Sequence, residues 1–354
     1  MAEAFTELGH EVTLFAPQYV DSPSFLETIG HEPPFRTVYE PCGRSRWRVG
    51  LAVARLTRKL HAHQADIVVS RSPIGTLLLS KQVGKSILEI HAIPSIRRRN
   101  PSFISAIILS AALKRVFSRR HRPNVVVLST QAAQSLRESR LVNQETLVHI
   151  VPSAGTKSSN AKRSDDWDET NDLRPTLGYF GADTPGRGLD FVLELAHKMP
   201  DYRFLVAGPP GPRLGIPAPE NVFFLGRLSH NAAVNLMQSC TALLAPYALN
   251  VTVGTGLDTT STASPMKIYD YMAAGRPIFA SAVPMVTGAL SSDEGFLLPV
   301  GDVAAWRGSI EMNLGTVTAA ERSARATIRY NSGRTYRHRA ERVLDVATAT
   351  ARGA

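Results

Sequence analysis

Short apolar runs alternate with segments of helical periodicity over the first 151 residues. The runs have the length of buried strands, and Gly or Pro lies at several of their ends. They predict strands over 10–16, 66–70, 86–91, 125–129 and 147–151, the first of them ended by Pro17. Helices are predicted between them over 2–8, 51–63, 75–83 and 130–139.

The same alternation restarts after a polar segment. Residues 152–175 are rich in Ser, Asp and Asn and lack periodicity, so we expect a linker there. Its acidic run, 165–169, is expected to be solvated and not to bind a metal. Strands are then predicted over 176–180, 203–207, 222–225, 242–245 and 277–281, and helices over 189–199, 232–239, 266–274 and 335–349.

This order of elements predicts an α/β protein with two Rossmann-like parallel-sheet domains facing a cleft. The domains would cover 1–151 and 176–330, and a C-terminal helix within 331–354 would cross back to the first domain. The chain opens with a helix, a Gly turn and a strand. Because a Rossmann-like domain begins with a strand and a ligand-binding loop, we expect the first domain to lack both.

Composition and charge narrow the classes of partner. The 354 residues are 44% hydrophobic and 20% charged, which is ordinary for a globular protein. The net charge of +10 favours partners that carry phosphate. No zinc-knuckle, RNA-recognition or helix-turn-helix pattern is present, so we expect no nucleic-acid partner. Cys42 and Cys240 have no metal or redox spacing, and we expect no bound metal. Without a signal peptide or an apolar run of about 20 residues, the chain is expected to be cytoplasmic.

The segment 264–277 contains the most informative pattern. Ser264 is a good N-cap, Pro265 suits the first helical position, and Met266 follows. The N–H groups of such a helix start attract phosphate, and Lys267 adds a full positive charge. Asp270 comes one turn later, within reach of a ribose. These residues could instead form an ordinary amphipathic helix with a solvated Lys, and helix physics alone leaves both interpretations open.

This segment also resembles the donor-site signature of retaining nucleotide-sugar glycosyltransferases of family four. That signature reads Ser/Thr-Pro-x-Lys-hydrophobic-x-Glu-Tyr-Met-Ala-x-Gly-x-Pro, and the match over 264–277 is nearly continuous. The resemblance implies the two-Rossmann (GT-B) architecture and a nucleoside diphosphate sugar as donor. It also implies transfer with retention to a glycan or lipid-linked acceptor, without a metal or a bound cofactor.

The resemblance assigns roles to further residues. Residues 178–190 are similar to the first strand and loop of the family's second domain, with Gly181 opening the loop and Arg187 before Gly188 as a diphosphate ligand. Without the family, Arg187 would be interpreted as a surface residue. Residues 223–228, ending at Leu228, are similar to the strand whose end lines the base pocket. His91 ends a predicted strand, where ligands bind in such sheets, and the family implies contact with the donor sugar.

Three departures from the family pattern keep other functions open. Thr262 and Asp270 stand where the family has a pair of Glu residues, and Ala182 replaces an Arg of the opening loop. The Gly-rich loop of the first domain has no counterpart. A non-catalytic nucleotide-binding or scaffold relative therefore remains an alternative to the transferase. A sugar-nucleotide epimerase of similar architecture is a further alternative, although no feature of the sequence points to it.

The stretch 97–122 is basic at both ends and apolar in between. An interfacial helix on an anionic membrane has this character, because anionic lipid attracts Arg groups. A core helix with charged ends has it too. The first alternative would place the protein peripherally on the inner face of the membrane.

Overall fold

A computed structural model of the chain describes residues 1–20, 32–43, 45–79, 85–91, 93–94, 103–118, 123–143, 145–156, 172–208, 211, 218–250 and 264–349. The chain divides into two compact units. The first contains Met1–Pro152 and Tyr336–Ala354, and the second contains Ser153–Gly254 and Ser264–Thr335. Each unit is a Rossmann-like α/β domain built on parallel strands, as the sequence predicts.

The elements follow one another as the alternating pattern suggests. Those before residue 152 are α1 (Ala2–Glu7), β1 (Thr13–Tyr19), β2 (Arg36–Cys42), α2 (Arg46–His61), β3 (Ile67–Ser70), α3 (Pro73–Leu78), β4 (Lys85–Ile90), α4 (Phe103–Phe117), β5 (Asn124–Val127), α5 (Thr130–Glu138) and β6 (Val148–Ile150). Those after it are β7 (Thr176–Phe180), α6 (Leu189–Lys198), β8 (Arg203–Ala207), β9 (Val222–Gly226), α7 (His230–Ser239), β10 (Ala242–Ala245), α8 (Met266–Ala274), β11 (Ile278–Ser281), α9 (Pro284–Thr287), β12 (Phe296–Leu298), α10 (Val303–Asn313), α11 (Val317–Gly333) and α12 (Tyr336–Ala349).

In the first unit, β3, β4, β5 and β6 form one parallel sheet in chain order, and β1 pairs with β2 separately. Alternating side chains of β4 point to opposite faces. Leu88 and Ile90 pack with a cluster that includes α4 and α5 residues. Ile87 packs with Val343 and Val346 of α12 on the other face. The last helix of the chain therefore covers one face of the first unit's sheet.

Several boundaries in the first unit differ from the pattern, and one strand is additional to it. The strand expected to stop at Pro17 continues to Tyr19. Among the described residues, β1 pairs with β2 alone, so it is an edge strand. Pro is tolerated in an edge strand because no second neighbour needs its N–H. The strand β2 was not predicted at all. The helix α2 begins five residues before the predicted Leu51.

The predicted basic and apolar stretch around α4 is only partly described, and its charged ends at 97–102 and 119–122 lie outside the described residues. Within α4, Leu113, Val116 and Phe117 are buried in the core, which agrees with a core helix. Ile107 and Ile108 are 42% and 47% exposed. Among the described helices, none has both the length and the apolar content needed to cross a bilayer.

The second unit contains one parallel sheet in the order β12-β11-β10-β7-β8-β9. Several predicted bounds are confirmed without change, namely those of β7, β8, β10 and α8, and Gly275 ends α8 with φ +66°. No element was predicted over 282–334, where α9, β12, α10 and α11 lie. The buried face of α11 consists of Ala319, Ser323, Ala326 and Tyr330, so it lacks a strong apolar period.

The neighbouring strands β7 and β10 separate towards their carboxyl ends. Their pairing is confined to Ala242 with Leu177 and Leu243 with Gly178. Beyond it, the fully buried Tyr271 hydroxyl accepts the N–H of Phe180 (3.0 Å) and donates to the carbonyl of Leu244 (3.2 Å). A side chain of α8 thus joins the two strands at the point where their backbones diverge.

Tyr271→Phe is expected to lower the free energy of unfolding by about 1–3 kcal/mol, because two buried backbone groups lose their shared partner. Tyr269→Phe is the control, since that ring is equally buried but its hydroxyl has no hydrogen-bond partner in the described chain. Urea unfolding of both variants measures the difference. Equal losses of unfolding free energy in the two variants would show that the hydrogen bonds of Tyr271 contribute nothing to stability.

Candidate functional site

The site lies at the carboxyl edge of the second unit's sheet, where β7 and β10 diverge. After β9 the chain crosses back to place β10 on the other side of β7, so the strand order reverses between these two strands. In open parallel sheets, ligands bind at this point of reversal. The loop after β7 and the segment that leads into α8 both follow strands that end here.

The backbone of the loop after β7 is fixed by its neighbours. The Tyr179 hydroxyl donates to the carbonyl of Arg187 (3.1 Å), and the N–H of Arg187 donates to the carbonyl of Thr184 (3.1 Å). The carbonyl of Gly186 accepts the N–H of Ala248, which follows β10 (2.9 Å). These bonds hold the main chain while the Arg187 side chain is left for other contacts.

The start of α8 differs from the predicted cap. The helix begins at Met266, as predicted, but its N-cap is Pro265, one residue later than the expected Ser264, and the Ser264 side chain makes no cap bond. The N–H of Met266 donates to the carbonyl of Ser264 (2.8 Å), and that of Ile268 donates to the carbonyl of Pro265 (2.9 Å). This tight turn uses N–H groups that the sequence assigned to phosphate, so the side chains carry more of the site than expected.

Lys267 is the most unusual residue of the site. It is only 7% exposed, and its ammonium lies 4.3 Å from the ring centroid of Tyr179 and 4.8 Å from that of Tyr247. A Cβ on Gly181 would lie 3.1 Å from Nζ, so this glycine leaves room for the ammonium. Burial, with a smaller contribution from the charge of Arg187, lowers the pKa of Lys267 to about 7.

Several polar atoms here are buried without a hydrogen-bond partner. In the described part of the second unit they are Thr184 Oγ1, Arg187 Nε, Ser264 Oγ and Lys267 Nζ, all on the loop after β7 or at the approach to α8. Folded proteins rarely leave such groups unpaired, and an unpaired buried donor costs about 1–3 kcal/mol. Their concentration in one place indicates that a polar ligand completes the site. Two of the four groups, Arg187 and Lys267, are cationic side chains, which favours an anion as their partner.

Asp270 follows one turn after Lys267. Its Oδ1 accepts the N–H of Thr156 (2.9 Å), which leaves Oδ2 for another partner. Gly155 permits this approach, since a Cβ there would lie 2.5 Å from the carbonyl of Tyr269. Burial raises the pKa of Asp270 to about 7, against the opposing effect of the Thr156 hydrogen bond. Asp270 also adds to the raised pKa of Tyr247, which comes mainly from burial.

Not all of the predicted residues gather at this site. Leu228 follows β9 and packs against the hydrophobic cluster that contains α7 and α8 residues. Met266 is half exposed. His91 belongs to the first unit, where its Nε2 lies 2.7 Å from Glu89 Oε1. Of the departures from the family pattern, Ala182 is exposed and Thr262 lies outside the described residues.

Three residues of the site were missed by the sequence analysis. Tyr179 and Tyr247 flank the ammonium of Lys267, and Thr184 supplies one of the unpaired hydroxyls. Tyr247 comes directly after the strand-ending Pro246, so the rule that ligands bind at strand ends could have identified it. Tyr179 lies within an apolar strand, where only the folded structure shows that its hydroxyl and ring reach the loop.

Gly188→Ala is expected to destabilise the loop strongly. Gly188 has φ +89°, and an added Cβ would lie 1.9 Å from the carbonyl oxygen of Pro246. Gly301→Ala is the matched control, because Gly301 has φ +74° with open space around it. This variant should lose only about 1–2 kcal/mol of unfolding free energy. Urea unfolding compares the two losses, and a Gly188 variant no worse than the control would contradict the close contact.

Lys267→Met is expected to stabilise the unliganded protein. The folded-state pKa of about 7 lies below the ordinary value of 10.5, so the unfolded chain binds more protons between these values. The cost of burying the ammonium is therefore full below pH 7 and disappears as the pH approaches 10.5. Since each pKa unit corresponds to about 1.4 kcal/mol, the gain is at most about 5 kcal/mol at pH 6.

Denaturant unfolding of wild type and Lys267→Met between pH 6 and 10 measures this gain. The exposed Lys198, changed to Met, is the control and should show no comparable pH-dependent gain. A gain for Lys267→Met that is constant with pH would contradict the assignment.

Two family models match the chain, one over each half. Residues 1–154 match "Glycosyltransferase Family 4" and residues 174–314 match "Glycosyl transferases group 1". No curated protein matches the sequence.

Solved glycosyltransferases share the fold at low sequence identity. Sucrose-phosphate synthase from Thermosynechococcus elongatus is 15% identical with a TM-score of 0.73, over 100% of this chain and 92% of the other. A glycosyltransferase from Rickettsia africae is 14% identical with a TM-score of 0.72, over 98% and 92%. Anabaena HepE, in complex with UDP-glucose, is 16% identical with a TM-score of 0.67, over 96% and 100%. The chain thus has the GT-B architecture, and its two domains are glycosyltransferase domains of the family 4 and group 1 types.

Proposed function

We propose that the chain is a retaining, metal-independent hexosyltransferase. It moves a sugar from a nucleoside diphosphate sugar to a glycan or a lipid-linked acceptor. The observation that carries this proposal is the buried ammonium of Lys267, which has no counter-ion among the described residues and lies among other unpaired donors. A diphosphate supplies both the negative charge and the acceptor oxygens that these groups lack.

The same groups suit the chemistry of transfer. When the bond between sugar and diphosphate breaks, negative charge develops on the leaving phosphate. Lys267 and Arg187 would stabilise that charge, and because Lys267 is already desolvated, its electrostatic effect is stronger than in water. The anion would also favour the charged form of Lys267 and so raise its pKa above 7.

The remaining residues would bind the other parts of the donor. Asp270 would hold the ribose through Oδ2, since its Oδ1 is already used by Thr156. Leu228 would lie at the base, and His91 would contact the donor sugar. Gly181 and Gly188 would let the loop backbone approach the diphosphate beside Ser264, Pro265 and Met266.

The comparisons support the class of donor. Anabaena HepE has been solved with UDP and with UDP-glucose, so a protein of this fold binds such compounds. A second function, nucleotide binding without catalysis, is favoured by the exposed Ala182, which stands where the family has a cation. Binding without turnover would identify it.

Peripheral membrane association would bring the enzyme to a lipid-linked acceptor. The exposed Ile107 and Ile108 of α4 support it, because they offer apolar contact beside a strongly basic sequence. This part of the proposal predicts binding to vesicles that contain anionic lipid.

Calorimetric titration with UDP, GDP and ADP tests the donor site. We expect at least one to bind and the free nucleosides to bind far more weakly. Lys267→Met and Arg187→Ala should each weaken binding about tenfold to 100-fold, the effect of losing a charged hydrogen bond. Arg307→Ala is the control, because Arg307 pairs on the surface with Glu311.

Two results would refute this site: no nucleoside diphosphate binds the wild type at millimolar concentration, or both variants bind as tightly as the wild type. Turnover of the bound nucleotide sugar then separates the enzyme from the non-catalytic alternative. The anomeric configuration of the product, read by NMR, tests retention.

A further inference from the structure

A buried ion pair lies behind His91 in the first unit. Glu89 is 2% exposed and Arg339 is 4% exposed, and the guanidinium of Arg339 hydrogen-bonds to Glu89 Oε1. Arg339 also donates to the carbonyls of Val151 and Pro152, just after β6. Arg339 belongs to α12 and is 250 residues away from Glu89 in sequence.

The alternating direction of side chains along β4 explains why Glu89 contacts Arg339. Ile87 faces α12, so Glu89, two residues later, faces the same helix. His91 follows at the end of the strand, and its Nε2 lies 2.7 Å from Glu89 Oε1. The more exposed Arg71 approaches the same oxygen to 3.7 Å. One carboxylate therefore joins the last helix of the chain to the imidazole at the end of the strand.

Glu89 is ionised despite its burial. Burial acts to raise the pKa of Glu89, but the hydrogen bond with His91 and the charge of Arg339, with those of His91 and Arg71, outweigh it and bring the pKa to about 2. An ionised carboxylate can only accept hydrogen bonds. The Nε2 of His91 must therefore carry a hydrogen and donate it, which leaves Nδ1 as the nitrogen for other partners.

Stability alone does not account for this pair. A buried ion pair is often no more stabilising than apolar residues of similar volume. The helix α12 also has other attachments to the first unit, since Val343 and Val346 pack on the sheet and Asn124 donates to the carbonyl of Val346 (3.1 Å). A helix held in these ways does not need a buried charge to dock.

We propose that Glu89 and Arg339 are positioning residues for His91. Arg339 fixes Glu89, and Glu89 fixes the imidazole ring with Nε2–H directed inward and Nδ1 presented to the donor sugar. This rests on the proposed role of His91 in transfer. Neither residue touches the substrate, and both act through the orientation of one ring.

Proton NMR of the full-length protein at pH 8 tests the arrangement directly. A hydrogen-bonded ring N–H resonance from His91, assigned by its loss in His91→Asn, is expected in the wild type. It should disappear in the double variant Glu89→Met/Arg339→Met, which replaces the pair by apolar side chains and leaves no lone buried charge. Glu89→Gln keeps an acceptor and should keep the resonance.

Val343→Ala is the matched control, because it loosens the packing of α12 without touching Glu89. It should keep the resonance even if its stability falls. The proposal is overturned if the wild type lacks this resonance, if the double variant retains it, or if Val343→Ala loses it as the double variant does.

Turnover supplies the second measurement. With a nucleoside diphosphate sugar that the wild type converts, the double variant should lose about tenfold to 100-fold in kcat, the effect of misdirecting one hydrogen bond in the transition state. Its Kd for the nucleoside diphosphate should be unchanged, because the diphosphate residues are intact. An unchanged kcat in the double variant would overturn the positioning role.

The two proposals fail differently. A wild type that binds no nucleoside diphosphate refutes the donor site but leaves the His91 resonance to be tested. A normal Kd with an unaltered resonance in the double variant refutes positioning and leaves the donor site intact.

Discussion

The divergence of β7 and β10 is the constraint on which the candidate site depends. Parallel strands normally share hydrogen bonds along their length, and here the ladder ends at Leu243 and Gly178. The Tyr271 hydroxyl takes its place between Phe180 and Leu244. Because the two strands part at this point, the loops that follow them can stand on either side of Lys267. A continuous ladder would close the space that the ammonium occupies.

That space contains a cation which the protein alone satisfies poorly. The rings of Tyr179 and Tyr247 give Lys267 some cation–π stabilisation, but they do not replace a hydrogen-bonding partner. Neighbouring Arg187 adds repulsion. The unpaired charge of Lys267 therefore lowers the stability of the folded protein, and a bound anion would restore it. Binding sites commonly have such a cost in stability. Because the buried charge destabilises the unliganded site, an anion that pairs with it would gain more binding free energy.

The sequence predicted the bounds of the second unit's elements up to β11 more accurately than those of the first unit, but it missed the four elements over 282–334. The bounds of β7, β8, β10 and α8 follow from compact apolar runs and from Gly275, whose left-handed conformation ends α8. The strand β1 was misplaced because continuation through Pro17 depends on which neighbours it has. The helix α11 was missed because Ala and Ser on its buried face carry little hydrophobic signal.

The candidate site shows the same division. Lys267, Arg187 and Asp270 could be chosen from local spacing and the family pattern. The cap at Ser264 was wrong because a tight turn at Pro265 decides where α8 begins. The two Tyr rings, the unpaired Thr184 hydroxyl and the contact of Thr156 with Asp270 depend on packing between distant segments. No local pattern specifies these distances.

The long separation in sequence between Glu89 and Arg339 has a consequence for biosynthesis. Glu89 leaves the ribosome long before its partner, because 250 residues separate them. Until α12 is made, the sheet face that carries Ile87 and Glu89 lacks both the helix that covers it and the guanidinium that pairs with Glu89. The core on this face of the first unit is therefore completed only after α12 has been synthesised.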